Sequence, residues 1–365
     1  MRTPRLLHPV AWWIWATALA ACALRTTNPL LLCLVIAVAG LVVASRRPDA
    51  PWSRSFASSL RLGLVVILVR LAFQMLFGLR IGDTTLFTLP AVTLPSWAAG
   101  VSLGGPVTAE SMVSALYQGL RLAAVIACFG AATSLCSPYR TLRALPAFLY
   151  EAGVAVTVAV SFAPQAAVSA RRVREARRLR GRSDRGPRAW AASAMPVLEG
   201  ALDRSIALAA SMDGRGYGRR GPQSNVVRRA SALLVVVGLA SFAVGAYGFL
   251  DAGAPVVFRV PVVAFGALSF VAGAWLASRS RLRSRYRPDP WVGPEWIVAG
   301  SGIVALVAFV VVGRNGDALD PSVFPLVVPS VPVLAVAGLL VAALPALAAP
   351  PPPMTVRPTT LAVAA

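Results

Sequence analysis

The hydrophobic pattern divides the chain into apolar stretches separated by short polar or basic segments. Eight stretches carry few charges, and several are close to the ~20 residues that a helix needs to cross the hydrocarbon core. The first two are short and are separated by Arg25 and Asn28-Pro29, which predicts a tight hairpin. The eight predicted spans are residues 10–26, 29–44, 58–79, 111–136, 229–250, 257–277, 296–313 and 323–344.

A further apolar stretch, residues 145–168, is ambiguous, and the distribution of arginine decides it. The segment from Arg171 to Arg229 carries 15 of the 35 Arg residues. With the N-terminus inside, four spans return the chain to the cytoplasm near residue 137. A crossing at 145–168 would then place the nine Arg of 171–188 outside, against the positive-inside rule. We therefore expect 145–168 to be an apolar helix that does not cross and that needs another apolar surface to cover it.

The pattern predicts an all-α polytopic membrane protein with about eight transmembrane helices and cytoplasmic termini. A cytoplasmic helical module lies between spans four and five. The loop 80–110, which has Gly, Pro and Thr and few charges, is expected outside. The predicted regions are four spans in 1–136, the cytoplasmic module in 137–228, four spans in 229–344 and a disordered Pro/Ala-rich tail in 345–365.

Composition supports the membrane assignment and limits the chemistry. The chain is 57% hydrophobic and 13% charged, against about 25% charged residues in a typical soluble domain. Its net charge of +21 favours anionic lipid headgroups and an acidic protein partner over nucleic acid, because the charge is set among apolar spans. All 35 Lys and Arg residues are Arg. A phosphate-binding P-loop needs a Lys, so the chain carries no Walker-type ATPase of its own.

No catalytic residue, cofactor site or metal site is predicted. His8, the one histidine, stands beside Pro9 near a membrane entry and is expected at the headgroup level. None of the predicted spans contains an acidic residue, which argues against a proton-coupled carrier. The cysteines form no CxxC pair and are expected to be small buried hydrophobic residues. They are Cys22, Cys33, Cys128 and Cys136.

Three arginines lie inside apolar helices. Arg61 is expected to extend its side chain to the membrane surface. Arg70 and Arg121 are expected to face either the bundle interior or a partner, and a structural role is favoured.

The cytoplasmic module contains two similar helix endings. The first reads Leu179-Arg180-Gly181, and Gly181 is predicted to end the helix as the residue after its C-cap. Upstream, small residues spaced by three or four form a stripe on one helix face, which Arg180 continues. This stripe consists of Ala166, Ala170, Val173 and Ala176.

The second ending has the same order of residue types. Pro196 is predicted to begin the helix, Arg215 sits at its end, and Gly216 and Gly218 are expected to break it. An apolar stripe again lines one face. It consists of Leu198, Leu202, Ala209 and Met212.

The simple interpretation of each ending is structural, since arginine near a helix C-terminus complements the helix dipole and glycine caps the helix. The functional interpretation is docking. An Arg at a helix tip makes bidentate contacts with a carboxylate, and the helix lies apolar face down in a partner's groove. Two such endings within 36 residues favour docking to a partner with two lobes.

These endings resemble the two Ala-Arg-Gly signatures of the transmembrane T component of energy-coupling-factor (ECF) importers of vitamins and metal ions. The stretch Ser211-Met212-Asp213-Gly214-Arg215-Gly216-Tyr217-Gly218 is similar to the second signature, and Ala176 precedes the first at the family's spacing. The Asn28-Pro29 hairpin and Ser161-Phe162-Ala163-Pro164 are also similar. The resemblance covers roughly residues 5–222. Leu179 and Gly214 replace the signature alanines, and the four C-terminal spans exceed the usual family pattern.

The resemblance implies a non-enzymatic coupling subunit in a bacterial cell membrane. Its partners would be two cytosolic ATP-binding-cassette (ABC) ATPase subunits and a substrate-binding membrane subunit (S subunit). Arg180 and Arg215 would each dock into one ATPase, and the apolar module would hold the S subunit. The implied docking residues are Leu179, Arg180, Gly181, Gly214, Arg215 and Gly216, supported by Ala176, Met212, Asp213, Tyr217 and Gly218.

Two other functions remain open from the residues alone. A membrane anchor whose basic loop binds anionic lipid or nucleic acid would depend on total charge rather than on two particular arginines. Its aromatic residues, Trp190 and Tyr217, are too few for base stacking. A membrane-embedded transferase would need a cluster of carboxylates or histidines, and the sequence shows none.

Overall fold

The computed structural model describes most of the chain, and every structural statement below refers to these residues. They are residues 5–77, 82–93, 102–144, 150–181, 186–217, 224–250, 255, 260–278, 291–314 and 319–352.

Helices account for nearly all the regular structure in the described residues. The protein is an all-α polytopic membrane protein, as predicted, with one β-hairpin and a short 3-10 turn at Pro51–Arg54. The helices are α1 (Pro9–Leu24), α2 (Pro29–Arg46), α3 (Ser55–Phe77), α4 (Ala109–Leu135), α5 (Pro138–Arg143), α6 (Tyr150–Leu179), α7 (Pro187–Gly214), α8 (Asn225–Leu250), α9 (Val260–Ser278), α10 (Gly293–Arg314), α11 (Val333–Ala342) and α12 (Pro345–Ala348). The strands are β1 (Thr85–Thr93) and β2 (Ser102–Thr108).

Seven helices in the described chain are long and apolar enough to cross a membrane. Six of them, α2, α3, α4, α8, α9 and α10, coincide with predicted spans. The first predicted span is the shorter apolar helix α1. The last, 323–344, is helical only from Val333, because prolines at 321, 325, 329 and 332 interrupt the preceding residues.

The seventh long apolar helix is α6, which contains most of the ambiguous stretch. Residues 145–149 lie outside the described chain, but from Tyr150 the helix runs without a break through Pro164 into the arginine-rich segment. By length and composition the part from Ala152 to Leu179 is sufficient to cross. The positive-inside argument still predicts that it does not, so its placement stays a prediction.

The predicted outer loop contains an antiparallel hairpin that the sequence analysis missed. β1 pairs with β2 in a register that sets Thr85 opposite Thr108 and Leu89 opposite Gly105. Gly104 adopts a φ of +84°, and a Cβ there would lie 2.3 Å from the Pro90 carbonyl oxygen. Strands of Thr, Leu, Val and Phe suit a pleated ribbon, whereas Gly and Pro within them mask the pattern.

Contacts divide the chain into two compact units, Met1–Thr141 with Asp289–Ala365, and Leu142–Pro288. In the first unit, α1 packs on α4 and α10, α2 packs on α4 and α11, and α3 packs on α4. The core includes the fully buried side chains of Trp15, Leu19, Leu32, Phe309 and Leu339. The last helices of the chain therefore complete the core of the first ones.

Polar contacts tie the two ends of the chain together inside this first unit. Both carboxylate oxygens of Glu295, which is 1% exposed, accept hydrogen bonds from Nη2 of Arg5 at 2.8 Å. The Trp15 indole donates to the Ala342 carbonyl oxygen at 2.9 Å. Buried Asn28 caps α2 by accepting from the Leu30 amide and donates to the Ser330 carbonyl oxygen. These contacts give the last two of the four extra C-terminal spans a structural role that the sequence pattern left undefined.

The start of the predicted tail is ordered. Pro345 begins the one-turn helix α12, Ala349 after it is 1% exposed, and Arg46 donates two hydrogen bonds to the Ala346 carbonyl oxygen. Small alanine side chains allow this close packing, which the Pro/Ala composition did not reveal. Residues 353–365 of the predicted tail lie outside the described chain.

The cysteines and His8 have simple structural surroundings. Cys22, Cys128 and Cys136 are buried as predicted, whereas Cys33 is exposed on α2. His8 lies at the N-cap of α1, where Nδ1 accepts a hydrogen bond from the Val10 amide at 3.3 Å.

The second unit contains α6 to α9, and α8 packs against α9 along glycines spaced by seven residues. A Cβ at Gly238 would lie 2.6 Å from the Phe270 amide nitrogen, and one at Gly266 would lie 2.7 Å from the Phe242 amide nitrogen. Gly245 and Gly273 have equally close neighbours. Small residues at a membrane helix interface let the backbones approach closely, and here they fix this antiparallel pair.

Replacing Gly266 with valine should force α8 and α9 apart. The added side chain would meet backbone atoms, which cannot rotate away, so we expect destabilisation of about 1–3 kcal/mol. Gly300→Val in α10 is the matched control, because a Cβ there has no neighbour within 4 Å. Thermal unfolding of both variants in detergent, followed by size-exclusion chromatography, measures the difference. Equal melting temperatures would contradict the close packing.

Candidate functional site

The first helix ending has the geometry that its sequence predicts. Helix α6 ends at Leu179, whose side chain is 90% exposed, and the amide of Arg180 donates to the carbonyl oxygens of Ala176 and Arg177. Gly181 follows with a φ of +68°, and its amide donates to the Arg178 carbonyl oxygen at 3.0 Å. Glycine is favoured at this left-handed position because it has no Cβ. The prediction that Gly181 ends the helix is confirmed.

The second ending is capped in the same way. Arg215 is the C-cap of α7, and Gly216 follows with a φ of +73°. The Gly216 amide donates to the Asp213 carbonyl oxygen at 2.8 Å, and the Tyr217 amide donates to the Met212 carbonyl oxygen at 3.0 Å. These two bonds define a Schellman motif, which satisfies carbonyl groups at the helix end. Gly218, the second predicted helix breaker, lies outside the described residues.

The start of α7 differs from the prediction. The helix begins at Pro187, and Pro196 lies inside it. Pro187 occupies the first turn, where proline is well tolerated because that amide has no helical partner anyway. Both Pro187 and Pro196 are suited to a helix start, and the prediction that the helix begins at Pro196 was wrong.

Arg180 and Arg215 therefore occupy equivalent positions. Each is the exposed residue between the last helical residue and a left-handed glycine. Within the described chain, neither guanidinium forms an ion pair or a side-chain hydrogen bond. Both cations also lie where the partial negative charge of a helix C-terminus favours them, an effect of about 0.3–1 kcal/mol at exposed sites. The two tips present free bidentate donors to an external group.

The two tips point in opposite directions. A short connection joins the end of α6 to the start of α7, and Nη1 of Arg204 donates to the Ser169 hydroxyl at 3.3 Å across the pair. Arg180 lies eleven residues beyond Ser169, and Arg215 lies eleven residues beyond Arg204. At a rise of 1.5 Å per residue, each tip lies about 16 Å beyond this contact along its own helix, so the tips are at most about 33 Å apart along the pair. The sequence predicts two tips but does not reveal this symmetry.

An apolar groove of about 670 Å³ lies between α6 and α7. The predicted α7 stripe lines it, together with α6 side chains that include Val158 and Phe162. Leu202 is 62% exposed and Ile206 is 66% exposed, so the pair leaves a broad apolar face uncovered. The full lining is Val154, Ala155, Val158, Ala159, Phe162, Leu198, Ala201, Leu202, Ser205, Leu208, Ala209, Met212 and Tyr217.

The burial of the small-residue stripe on α6 changes along the helix. Ala166, Ala170 and Val173 are half-buried, whereas Ala176 is exposed next to the tip. A smaller cavity of about 330 Å³ lies beside this stripe and is lined by Ser169, Arg172 and Arg204 among others. The middle of the stripe is therefore partly covered, whereas Ala176 beside the tip is accessible.

The described residues contain no group of three or more His, Cys, Asp or Glu side chains placed to hold a metal ion. A scan of the chain against protein-family models finds no match, and a search among curated proteins finds no relative.

Proposed function

We propose that this chain is the transmembrane coupling subunit, or T component, of an ATP-driven ECF-type importer. The observation that carries the proposal is the pair of tips: two exposed arginines, each at a helix C-cap before a left-handed glycine, on two helices that contact each other eleven residues before each tip. A partner with two equivalent docking grooves fits this arrangement better than a single binding surface does.

Each tip would dock one cytosolic ABC ATPase subunit. A guanidinium forms two parallel hydrogen bonds with a carboxylate, and the rest of the helix end enters a groove. Leu179 beside Arg180 would contribute apolar contact, since its side chain is 90% exposed. The chain has no Lys for a P-loop, so ATP hydrolysis in this complex belongs to the partners.

The apolar groove and the uncovered α7 face are the surface that we assign to the substrate-binding S subunit. Leu198, Leu202 and Ile206 are each more than half exposed on this face. Apolar patches of this kind mark contact sites. In this proposal the S subunit selects the vitamin or transition-metal cargo, and the T component transmits motion to it.

A second candidate function follows from the basic character of α6. Several of its arginines are exposed, including Arg171, Arg174 and Arg178, and such a surface also attracts anionic lipid headgroups or nucleic acid. Binding of that kind scales with total charge and weakens steeply with salt. It does not require arginine at two helix caps, and this is why we favour the coupling function.

The direct experiment is isolation of the tagged full chain from its source membranes, followed by mass spectrometry of the associated proteins. The proposal requires two ABC ATPase subunits in stoichiometric amounts with the chain. Normal function of the chain with no ATP-hydrolysing companion would overturn it.

The proposed coupling function requires the α6 tip in the cytoplasm of the bacterial cell. We expect the cysteine of Leu179→Cys, the one exposed cysteine in a chain that also carries Cys33→Ala, to react with a membrane-impermeant maleimide only after the membrane is opened. The side chain is 90% exposed in the chain alone, so in cells that express the chain without ATPase partners its access depends on sidedness. If the cysteine at position 179 is labelled in intact cells or spheroplasts, α6 crosses the membrane and the eight-span topology is wrong.

A further inference from the structure

Two arginines on α3 and α4 lie inside membrane-spanning helices and are not used by the proposed coupling function. Arg121 is near the middle of α4, about 18 Å from its first residue and about 21 Å from its last. Arg70 lies about 10 Å from the end of α3. Ionisable residues at such depths are rare and mark functional sites by default.

The surroundings of Arg70 are polar but lack a negative charge. Its Nη2 donates to Oε1 of Gln118 on α4, and the Gln118 amide donates to the Ser114 hydroxyl at 3.2 Å. Arg121 follows Gln118 by one turn on the same helix face. These four residues form a polar band across the seam between α3 and α4, which we call the α3–α4 band.

No carboxylate neutralises the two cations. Glu110 is the only acidic residue on α3 or α4, and it accepts a hydrogen bond from Thr84 near the start of α4. Among the described residues, neither Arg70 nor Arg121 forms an ion pair, and the buried Nε of Arg121 has no hydrogen-bond partner.

Part of the band also faces outward within the first unit, whereas Ser114 and Arg121 are half-buried. Within the first unit α3 packs mainly on α4, and only 6% of its apolar window is buried. Arg70 and Gln118 are both exposed, among neighbours such as Leu68, which is 56% exposed. Exposed leucines are satisfied by lipid, but a guanidinium in hydrocarbon is not. The exposed face therefore needs a negatively charged occupant at the depth of the band.

The geometry points to a docking site for a membrane-spanning helix that carries an Asp or Glu at mid-membrane depth. A lipid phosphate lies outside the hydrocarbon core, which extends about 15 Å from the bilayer centre, so it does not reach the depth of Arg121. A second copy of this chain would add its own arginines and repel the first. A carboxylate on a spanning helix can be placed at any depth and forms the charge-assisted pair that both arginines lack.

The test uses the full chain reconstituted in vesicles of zwitterionic lipid, with labelled synthetic spanning peptides of Leu and Ala. One peptide carries a central Glu and its control carries Leu at that position. Energy transfer between chain and peptide measures association. We expect the Glu peptide to bind roughly fivefold to thirtyfold more tightly than the Leu peptide. Equal binding of the two peptides would overturn the inference.

Variants assign the effect to the band. Arg70→Leu and Arg121→Leu should each reduce the preference for the Glu peptide, and both together should abolish it. Arg61→Leu is the matched control, because Arg61 is exposed near the cytoplasmic end of α3 and outside the band.

The charge-reversed variant Arg121→Glu should prefer a peptide with a central Arg, which a folding defect would not produce. A preference unchanged in the double variant, or one abolished by anionic phosphatidylglycerol, would contradict the assignment. This result is independent of whether ATPase subunits bind the tips.

Discussion

Replacing Arg180 and Arg215 together with alanine is expected to abolish co-purification of the ABC ATPase subunits with this chain. Each arginine is exposed at a helix C-cap, and a docked guanidinium would leave its carboxylate partner buried and unpaired when it is removed. Such truncations cost about 2–5 kcal/mol each. Each single variant should therefore weaken the complex strongly, and the double variant should leave no measurable complex in a pull-down at micromolar concentrations.

The matched controls are Arg171→Ala and Arg174→Ala, alone and together. These side chains are exposed on the same helix and carry the same charge, but they lie away from the tip. Specific docking predicts that they change ATPase binding little. If all four arginines behave alike, and if added salt removes the association in proportion to charge, the basic surface binds a polyanion or anionic lipid instead.

Removing Arg5 while keeping Glu295 is expected to destabilise the first unit by about 3 kcal/mol, because it leaves a carboxylate that is 1% exposed without its counter-ion. The side chain of Arg5 is 30% exposed, so the effect belongs at the lower end of the range for buried pairs. Glu295 also accepts hydrogen bonds from the amides of His8 and Val292, and these contacts hold α10 beside the start of α1. Thermal unfolding of Arg5→Leu in detergent provides the measurement.

A double-mutant cycle separates the ion pair from simple packing. Arg5→Leu with Glu295→Leu removes both charges, so the double variant should be more stable than the sum of the two single changes predicts. Arg25→Leu is a suitable control, since Arg25 is exposed at the C-cap of α1 and forms no ion pair in the described residues. Additive effects of the Arg5 and Glu295 changes would show that the pair contributes no coupling.

The features that the sequence predicted correctly are mainly local ones. The turn between α1 and α2 follows from Asn28 as N-cap and Pro29 as first helical residue. The helix ends at Gly181 and Gly216 follow from the need for left-handed backbone after a C-cap. In each case the physical cause lies within a few residues, so the pattern is readable along the chain.

The features that were missed depend on distant partners or on competing local signals. The β-hairpin needs the pairing of Thr85 with Thr108, which no short window contains. The docking of α10–α12 on the N-terminal helices depends on pairs such as Arg5 with Glu295, at opposite ends of the sequence. The start of α7 was misassigned because Pro187 and Pro196 give the same local signal. The opposed direction of the two tips follows only once Ser169 and Arg204 are seen in contact.

That contact lies eleven residues from each tip, so a change in the angle between α6 and α7 about it would move both tips by equal amounts. Each arm is eleven residues, about 16 Å long, so a change of about 20° in the angle between α6 and α7 would displace one tip sideways by about 6 Å relative to the other helix. The hydrogen bond from Arg204 to the Ser169 hydroxyl would lie at the centre of that rotation. A small rotation between the two helices would thus move Arg180 and Arg215 by several ångströms.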